Sequence, residues 1–170
     1  MHQKNYSFLS EIYCNLGRLY RETDDCKTAV ITYEEAINHG NKNTAKNHDS
    51  VARAHHGKGI ALVKMNDLES AICSYGKSLL ITKVEFRDQS ERVARILQVL
   101  ASAFYESQQY SEAIEKLIEV KETLKLDEDQ NSEQKSNIQR KIADYYECLG
   151  NYKEAIDNYQ ILIDNEKSLL

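Results

Sequence analysis

One short pattern recurs four times along the 170-residue chain, and its constant spacing constrains the fold more than any other feature. The four segments are TAVITYEEAI (28–37), SAICSYGKSL (70–79), EAIEKLIEVK (112–121) and EAIDNYQILI (154–163). Their aligned alanines, each 42 residues after the one before, are Ala29, Ala71, Ala113 and Ala155. Periods of about 20–50 residues are typical of repeat proteins, in which each unit buries its apolar face against the next. Four such units fill almost the whole chain.

Each unit divides into two helical stretches, A and B, with a polar break between them. In the first unit, apolar and small residues recur at helical spacing over 13–20 and again over 29–36. Small residues remove side-chain bulk where the two helices of a hairpin must approach closely. We expect this role for Gly17, Gly59, Ala101 and Ala143 in helix A, and for the four repeat alanines in helix B.

Polar residues at the breaks predict where each helix B begins. Turn or N-cap residues are supplied by Asp24-Asp25, Asn66-Asp67 and Gly150-Asn151. Two segments also have the spacing of a capping box, Asn66-x-x-Glu69 and Asn151-x-x-Glu154. Connectors between the units are expected near 40–48, 82–89 and 125–132.

At these positions the chain resembles the tetratricopeptide repeat family, whose unit reads W-x2-L-G-x2-Y, then A-x3-F, then A and P. The first unit matches nearly throughout, with Tyr13, Leu16, Gly17, Tyr20, Ala29, Tyr33 and Ala36 in register. The chain has no proline, so the family's terminal proline is absent. Its period also exceeds the common one of about 34 residues. In period it is similar to kinesin light chains, and Pins-type and Tonsoku-type adaptors also use extended units.

The resemblance implies an all-α fold: a right-handed tetratricopeptide-repeat-like α-solenoid of four antiparallel helix pairs, or about eight helices. We predict a single domain over 1–170. Its repeats are placed at about 8–46, 47–88, 89–130 and 131–170. Charge is uneven along the chain, because residues 1–85 carry a net charge of +1 and residues 86–170 carry −6.

In this family a fixed set of A-helix positions lines a concave groove, and the resemblance implies that the same positions bind a peptide here. The predicted peptide-binding residues are Asn15, Arg18, Arg21, Arg53, His56, Ile60, Val63, Lys64, Arg95, Gln98, Val99 and Tyr105. Over the first three repeats, the groove positions hold five basic and three acidic residues in a chain of net charge −5. Because arginine binds carboxylate or phosphate through two parallel hydrogen bonds, we expect an acidic or phosphorylated peptide.

Other readings of these residues are weaker. A single surface arginine is more often solvated or paired with a nearby glutamate than used for a ligand, so only the cluster supports binding. The pair His55-His56 does not predict a metal site, because adjacent helical residues point about 100° apart and no second ligand follows at helical spacing. No phosphate loop or hydrolase motif is present, so neither an enzyme nor a cofactor is predicted.

These observations predict a non-enzymatic scaffold that binds a peptide or helical segment of a partner protein in the groove of the A helices. The alternative is an assembly or oligomerisation segment of a larger repeat protein that acts through its end faces. Apolar residues near both ends favour that alternative and self-association; they are Tyr6, Phe8, Leu9, Ile161, Leu162, Ile163, Leu169 and Leu170.

Composition argues against two classes of partner. With a net charge of −5 and a pI near 5.6, the chain lacks the basic footprint of a nucleic-acid-binding domain. No apolar stretch approaches the roughly 20 residues that a membrane span needs. The four cysteines are widely spaced and are expected to be reduced thiols, which favours the cytoplasm, with the nucleus as the alternative.

Overall fold

The structure, a computed structural model, describes residues 5–42, 48–85, 90–124 and 132–168. These residues form eight α-helices and contain no β-strand, which confirms the predicted all-α class. The helices are α1 (Tyr6–Glu22), α2 (Cys26–Asn41), α3 (Asp49–Lys64), α4 (Leu68–Glu85), α5 (Ser90–Glu106), α6 (Tyr110–Leu124), α7 (Ser132–Cys148) and α8 (Tyr152–Ser168). Most of the predicted connectors, together with Leu169 and Leu170, lie outside the described residues.

The turn that joins the two helices of each pair has the same geometry in all four repeats. One residue per turn has a positive φ, between 60° and 79°, at Asp24, Asn66, Gln108 and Gly150, again 42 residues apart. In the first turn the amides of Asp24 and Asp25 donate to the carbonyls of Arg21 and Tyr20, at 3.1 and 2.9 Å. Equivalent bonds close the other three turns and satisfy the last carbonyls of each helix A. The period of the sequence is therefore also a period of the backbone.

Each helix B begins just after this left-handed residue. Asp67 is the N-cap of α4, and its side chain accepts a hydrogen bond of 3.2 Å from the amide of Ser70. The predicted capping box from Asn66 to Glu69 is therefore wrong, because Asn66 has a φ of 60° and belongs to the end of α3. Asn151 does precede the first residue of α8, as predicted.

The helices pack into two compact units, unit 1 (residues 1–89) and unit 2 (residues 90–170). In unit 1, α1 pairs with α2 and α3 with α4, while α2 and α1 both pack against α3. In unit 2, α5 pairs with α6 and α7 with α8, while α6 packs against α7. Each unit thus consists of two stacked helical hairpins. A single domain over the whole chain stays a prediction.

The core of unit 1 is built from small residues around large aromatic rings. Tyr33 of α2 is 2% exposed, and its ring lies against Gly17 of α1 and Gly57 of α3. A Cβ atom added at Gly17 would lie 2.9 Å from that ring, and one added at Gly59 would lie 2.6 Å from the ring of Tyr75. Such separations are shorter than normal packing contacts. The predicted role of the glycines in helix A is therefore confirmed.

Unit 2 buries a polar side chain in its core. Gln139 of α7 is 4% exposed, and its Oε1 accepts a hydrogen bond of 2.6 Å from Nζ of Lys121 in α6. Its Nε2 donates to Oδ1 of Asn158 in α8, and Nδ2 of Asn158 donates to the carbonyl of Glu154 at 2.6 Å. Burial, and then the charge of Lys135, lower the pKa of Lys121. One polar network therefore connects three helices.

Candidate peptide-binding faces

The predicted site residues of unit 1 lie on α1 and α3, the two A helices of that unit, which pack side by side. Together they are termed the unit 1 A-helix face. Its exposed members are Asn15, Arg18, Arg53 and Lys64, and its partly buried members are Arg21, His56, Ile60 and Val63. The face thus combines charged, polar and apolar groups with access to solvent.

A hydrogen bond joins the two helices across this face. Nη2 of Arg53 donates to Oδ1 of Asn15 at 3.1 Å, and Nη1 of Arg53 lies 3.8 Å from Oδ2 of Asp49. The side chain of Arg53 is still 42% exposed. Since an amide oxygen only accepts hydrogen bonds, Nδ2 of Asn15 is the group that can donate to the carbonyl of a ligand.

Two other basic residues of the face are paired with carboxylates of the same unit. Arg21 forms an ion pair with Glu22, and Nζ of Lys64 lies 2.7 Å from Oδ1 of Asp24. Hydrogen bonds from Arg21 and Lys64 lower the pKa of Glu22 and of Asp24, and the bond with Asp24 raises the pKa of Lys64. These pairs reduce the positive field that the count of basic residues predicts. Arg18 and Arg53 become the main candidates for contact with an anion, because the ion pair of Arg53 with Asp49 is longer, at 3.8 Å.

A buried cysteine lies beneath the arginines. Cys14 is 4% exposed, and burial raises the pKa of its thiol, although Arg53 and Arg18 act in the opposite direction. A thiol that stays protonated is a packing group rather than a nucleophile. All four cysteines of the chain are unpaired.

The adjacent histidines of α3 have separate environments. Burial, followed by the charges of Lys77 and Lys58, lowers the pKa of His55 to about 4, so this ring is neutral at physiological pH. The ring of His56 instead lies 5.6 Å from that of Tyr75. Among the residues that the structure describes, no group of three or more histidine, cysteine, aspartate or glutamate side chains is arranged to hold a metal ion.

In unit 2 the predicted site residues lie on α5. Arg95 and Tyr105 are exposed, whereas Gln98 and Val99 are partly buried. Arg95 lies in the first half of the helix and Tyr105 at its end, so the two occupy different parts of the same surface.

Tyr105 belongs to an aromatic cluster that sequence reasoning did not identify. Its ring stacks on Tyr145 of α7, with a centroid distance of 4.3 Å and an angle of 16°, and it meets Tyr110 of α6 at 5.5 Å and 57°. The hydroxyl oxygen of Tyr105 lies 3.6 Å from Sγ of Cys148. The cluster depends on contacts between repeats, which the pattern within one repeat does not reveal.

Family and fold comparisons agree with the repeat pattern. Residues 8–83 match the model of the tetratricopeptide repeat family. No curated protein sequence matches the chain. None of the described helices has the length and apolar character needed to cross a bilayer.

Several solved structures share the fold. The crystal structure of BtubC (BKLC) from P. vanneervenii has a TM-score of 0.81 and 19% identity, over 99% of this chain and 67% of that one. A kinesin light chain-like protein of Podosopora anserina, with nearly identical TPR-like repeats, has a TM-score of 0.74 and 20% identity, over 99% and 79%. The apo form of RapI has a TM-score of 0.75 and 13% identity, over 98% and 59%. At these identities the similarity concerns the fold, which is that of all-α repeat solenoids.

Proposed function

We propose that the chain is a non-enzymatic scaffold that binds a segment of a partner protein along its A helices. Two findings support this: residues 8–83 match the model of the tetratricopeptide repeat family, and solved structures with the same fold are repeat solenoids. Repeat solenoids commonly use their extended surfaces for protein binding. Four unpaired cysteines support a reducing compartment, the cytoplasm or the nucleus. No cofactor is required by this function.

The observation that carries the proposal is the bond between Arg53 and Asn15, which places an exposed guanidinium and an amide from successive repeats side by side. A carboxylate of the ligand would accept from Arg53 and Arg18, both of which are exposed. A ligand carbonyl would accept from Nδ2 of Asn15. Ile60 and Val63 add partly exposed apolar surface on α3. This combination favours an extended acidic peptide.

Reversing two arginines tests the proposal. Short random peptides displayed on phage and selected on the whole chain should be enriched in aspartate and glutamate. The variant R18E/R53E should bind the selected peptides at least about tenfold more weakly, because attraction to carboxylates becomes repulsion. Fluorescence anisotropy with labelled peptides measures the affinity, and circular dichroism checks that helicity is retained.

The control variant is K27E/K153E, which changes net charge equally on exposed positions of α2 and α8. It should bind the selected peptides as the parent chain does. Equal losses in both variants would show that only the overall charge matters. Unchanged affinity in R18E/R53E would contradict the proposed site.

A second candidate function, assembly through an end face, is supported by α1. Its outer side carries five apolar residues, each between 38% and 57% exposed: Phe8, Leu9, Ile12, Leu16 and Leu19. One repeat later, the residues equivalent to Leu9, Ile12 and Leu19 are Val51, Ala54 and Ala61, at most 1% exposed in α3, which packs against α2. The stripe on α1 therefore has the character of a surface that a helix B covers. A second copy of the chain is one source of such a helix.

Charged residues in this stripe should separate the two candidates. If the chain self-associates through α1, I12E/L19E should sediment as a smaller species than the parent chain and keep its affinity for selected peptides. The matched variant I31E, at an apolar position of α2 that is 62% exposed, should sediment like the parent. A parent chain that sediments as a monomer at all concentrations would exclude self-association through this face.

A further inference from the structure

We propose that unit 2 carries a second binding surface of opposite preference, a tyrosine–carboxylate patch that binds an arginine or lysine side chain of a partner segment. The patch consists of Tyr105 and Glu106 at the end of α5, and Asp144, Tyr145 and Glu147 in α7. It is distinct from the unit 1 A-helix face, for which an acidic ligand is proposed.

The aromatic part of the patch is held in place from two sides. Tyr145 is 7% exposed and stacks almost parallel to Tyr105, while Tyr110 packs against Tyr105 at a tilt. Tyr105 itself remains 36% exposed. A rigid tyrosine that presents ring surface to solvent loses little conformational entropy when a ligand binds to it.

Carboxylates lie close to Tyr145, the ring on which Tyr105 stacks. Asp144 and Glu106 are the carboxylates that act electrostatically on Tyr145. The hydroxyl of Tyr159 donates to Oδ1 of Asp144 at 2.6 Å, and this bond, burial and the charges of Asp144 and Glu147 raise the pKa of Tyr159 to about 12. Glu106 and Glu147 are exposed. These carboxylates therefore contribute a negative field at Tyr145 and Tyr159.

Both parts of the patch, the tyrosine ring and the carboxylates, attract a cation. The face of a tyrosine ring attracts ammonium and guanidinium groups, and a planar guanidinium can also stack on it. The neighbouring carboxylates attract the same groups and repel anions.

The repeat register supports the difference in preference between the two units. Asp144 and Glu147 of the fourth repeat occupy the positions that Arg18 and Arg21 occupy in the first, three periods earlier. Tyr105 occupies the same position as Glu147 and Arg21. Equivalent positions thus change from basic in the first repeat to apolar in the second (Ile60 and Val63), to Tyr105 in the third and to acidic in the fourth, and a ligand of one charge does not suit both ends of this series.

The test uses labelled oligo-arginine, oligo-lysine and oligo-glutamate peptides of equal length, titrated into the whole chain at low salt and followed by fluorescence anisotropy. Oligo-arginine should bind most tightly and oligo-glutamate should not compete with it for the patch. The variant E106Q/E147Q should weaken oligo-arginine binding by about tenfold, and Tyr105→Leu by about fivefold. Tyr105→Phe keeps the ring and should retain the affinity.

A matched control removes the same charge elsewhere in unit 2. Glu115 of α6 and Asp157 of α8 are exposed, and E115Q/D157N should bind oligo-arginine as the parent chain does. Equal weakening by E115Q/D157N and E106Q/E147Q would overturn the proposal, because it would reduce the binding to attraction by net charge. So would the absence of measurable oligo-arginine binding. The variant R18E/R53E tests the acidic-peptide proposal separately, since both arginines belong to unit 1 and neither belongs to the patch.

Discussion

Replacing Gly57 by alanine should lower the free energy of unfolding by about 1–3 kcal/mol. A Cβ atom at this position would overlap the outer end of the Tyr33 ring, and that ring is 2% exposed and has no room to move away. Gly17 of α1 lies against the same ring, and a Cβ atom added there would lie 2.9 Å from it. The helix propensity gained by replacing glycine, about 1 kcal/mol, offsets only part of this cost. Urea unfolding followed by circular dichroism measures the change.

Gly76 provides the matched control for this prediction. It lies within α4 of the same unit, and a Cβ atom there would meet nothing within 4 Å. Gly76→Ala should therefore raise the free energy of unfolding by about 0.5–1 kcal/mol, because only the helix propensity changes. Equal effects of the two substitutions would contradict the close packing of α2 against α3 around Tyr33.

The glycine contacts also explain why the fold could be predicted from sequence. Close approach of two helices requires a small residue at each crossing, so selection for the fold leaves Gly17, Gly59 and the four repeat alanines at a fixed period. The four repeat alanines are at most 4% exposed. Because the same steric requirement applies to every repeat, its pattern occurs four times in the sequence and is easier to recognise than any single motif.

Local polar chemistry is less predictable because two roles compete at neighbouring residues. Asn66 and Asp67 are both acceptable N-caps by residue type. Asn66 adopts the left-handed conformation at the end of α3, and Asp67 therefore acts as the N-cap of α4. The same conformation is adopted by Gln108, a residue type that does not favour it, because the hairpin geometry requires it there.

The charge of the unit 1 A-helix face could be predicted only in part, for a similar reason. Basic residues at the groove positions can be counted from the repeat register, but their partners cannot. Asp24 belongs to the turn after α1, not to a groove position, and yet it pairs with Lys64 from the next repeat at 2.7 Å. Side-chain pairing between repeats depends on the stacking of the hairpins. The binding residues themselves stay a prediction until ligand measurements are made.

Buried polar residues are a further class that periodicity does not reveal. Gln139 occupies the position that Leu97 occupies one repeat earlier, and Leu97 is fully buried. Lys121 similarly takes the position of Leu79. Both positions thus accept an apolar residue elsewhere in the chain, and Lys121 and Gln139 depart from that pattern.

Replacing Gln139 by leucine should lower the free energy of unfolding by about 2–3 kcal/mol. Leucine fills a similar volume but makes no hydrogen bonds, so the polar partners of Gln139 would lose theirs. The ammonium of Lys121 would lose its acceptor at 2.6 Å, and Oδ1 of Asn158 would lose its donor. Leaving an ammonium without a hydrogen-bond acceptor destabilises the folded state more than leaving a neutral group without a partner. Urea unfolding of the variant measures the loss.

A double-mutant cycle identifies the origin of that loss. If the unpaired ammonium of Lys121 is responsible, adding Lys121→Met to Gln139→Leu should recover about half or more of the stability, since two apolar groups then replace the polar pair. Gln160→Leu is the control, because Gln160 is exposed and donates to Asp164 at the surface, and its effect should stay within about 0.5 kcal/mol. Strictly additive effects of Q139L and K121M would show that the two residues do not stabilise unit 2 as a pair. Coupling between them would instead mean that the polar network, and not only the repeat alanines and leucines, holds α6 against α7.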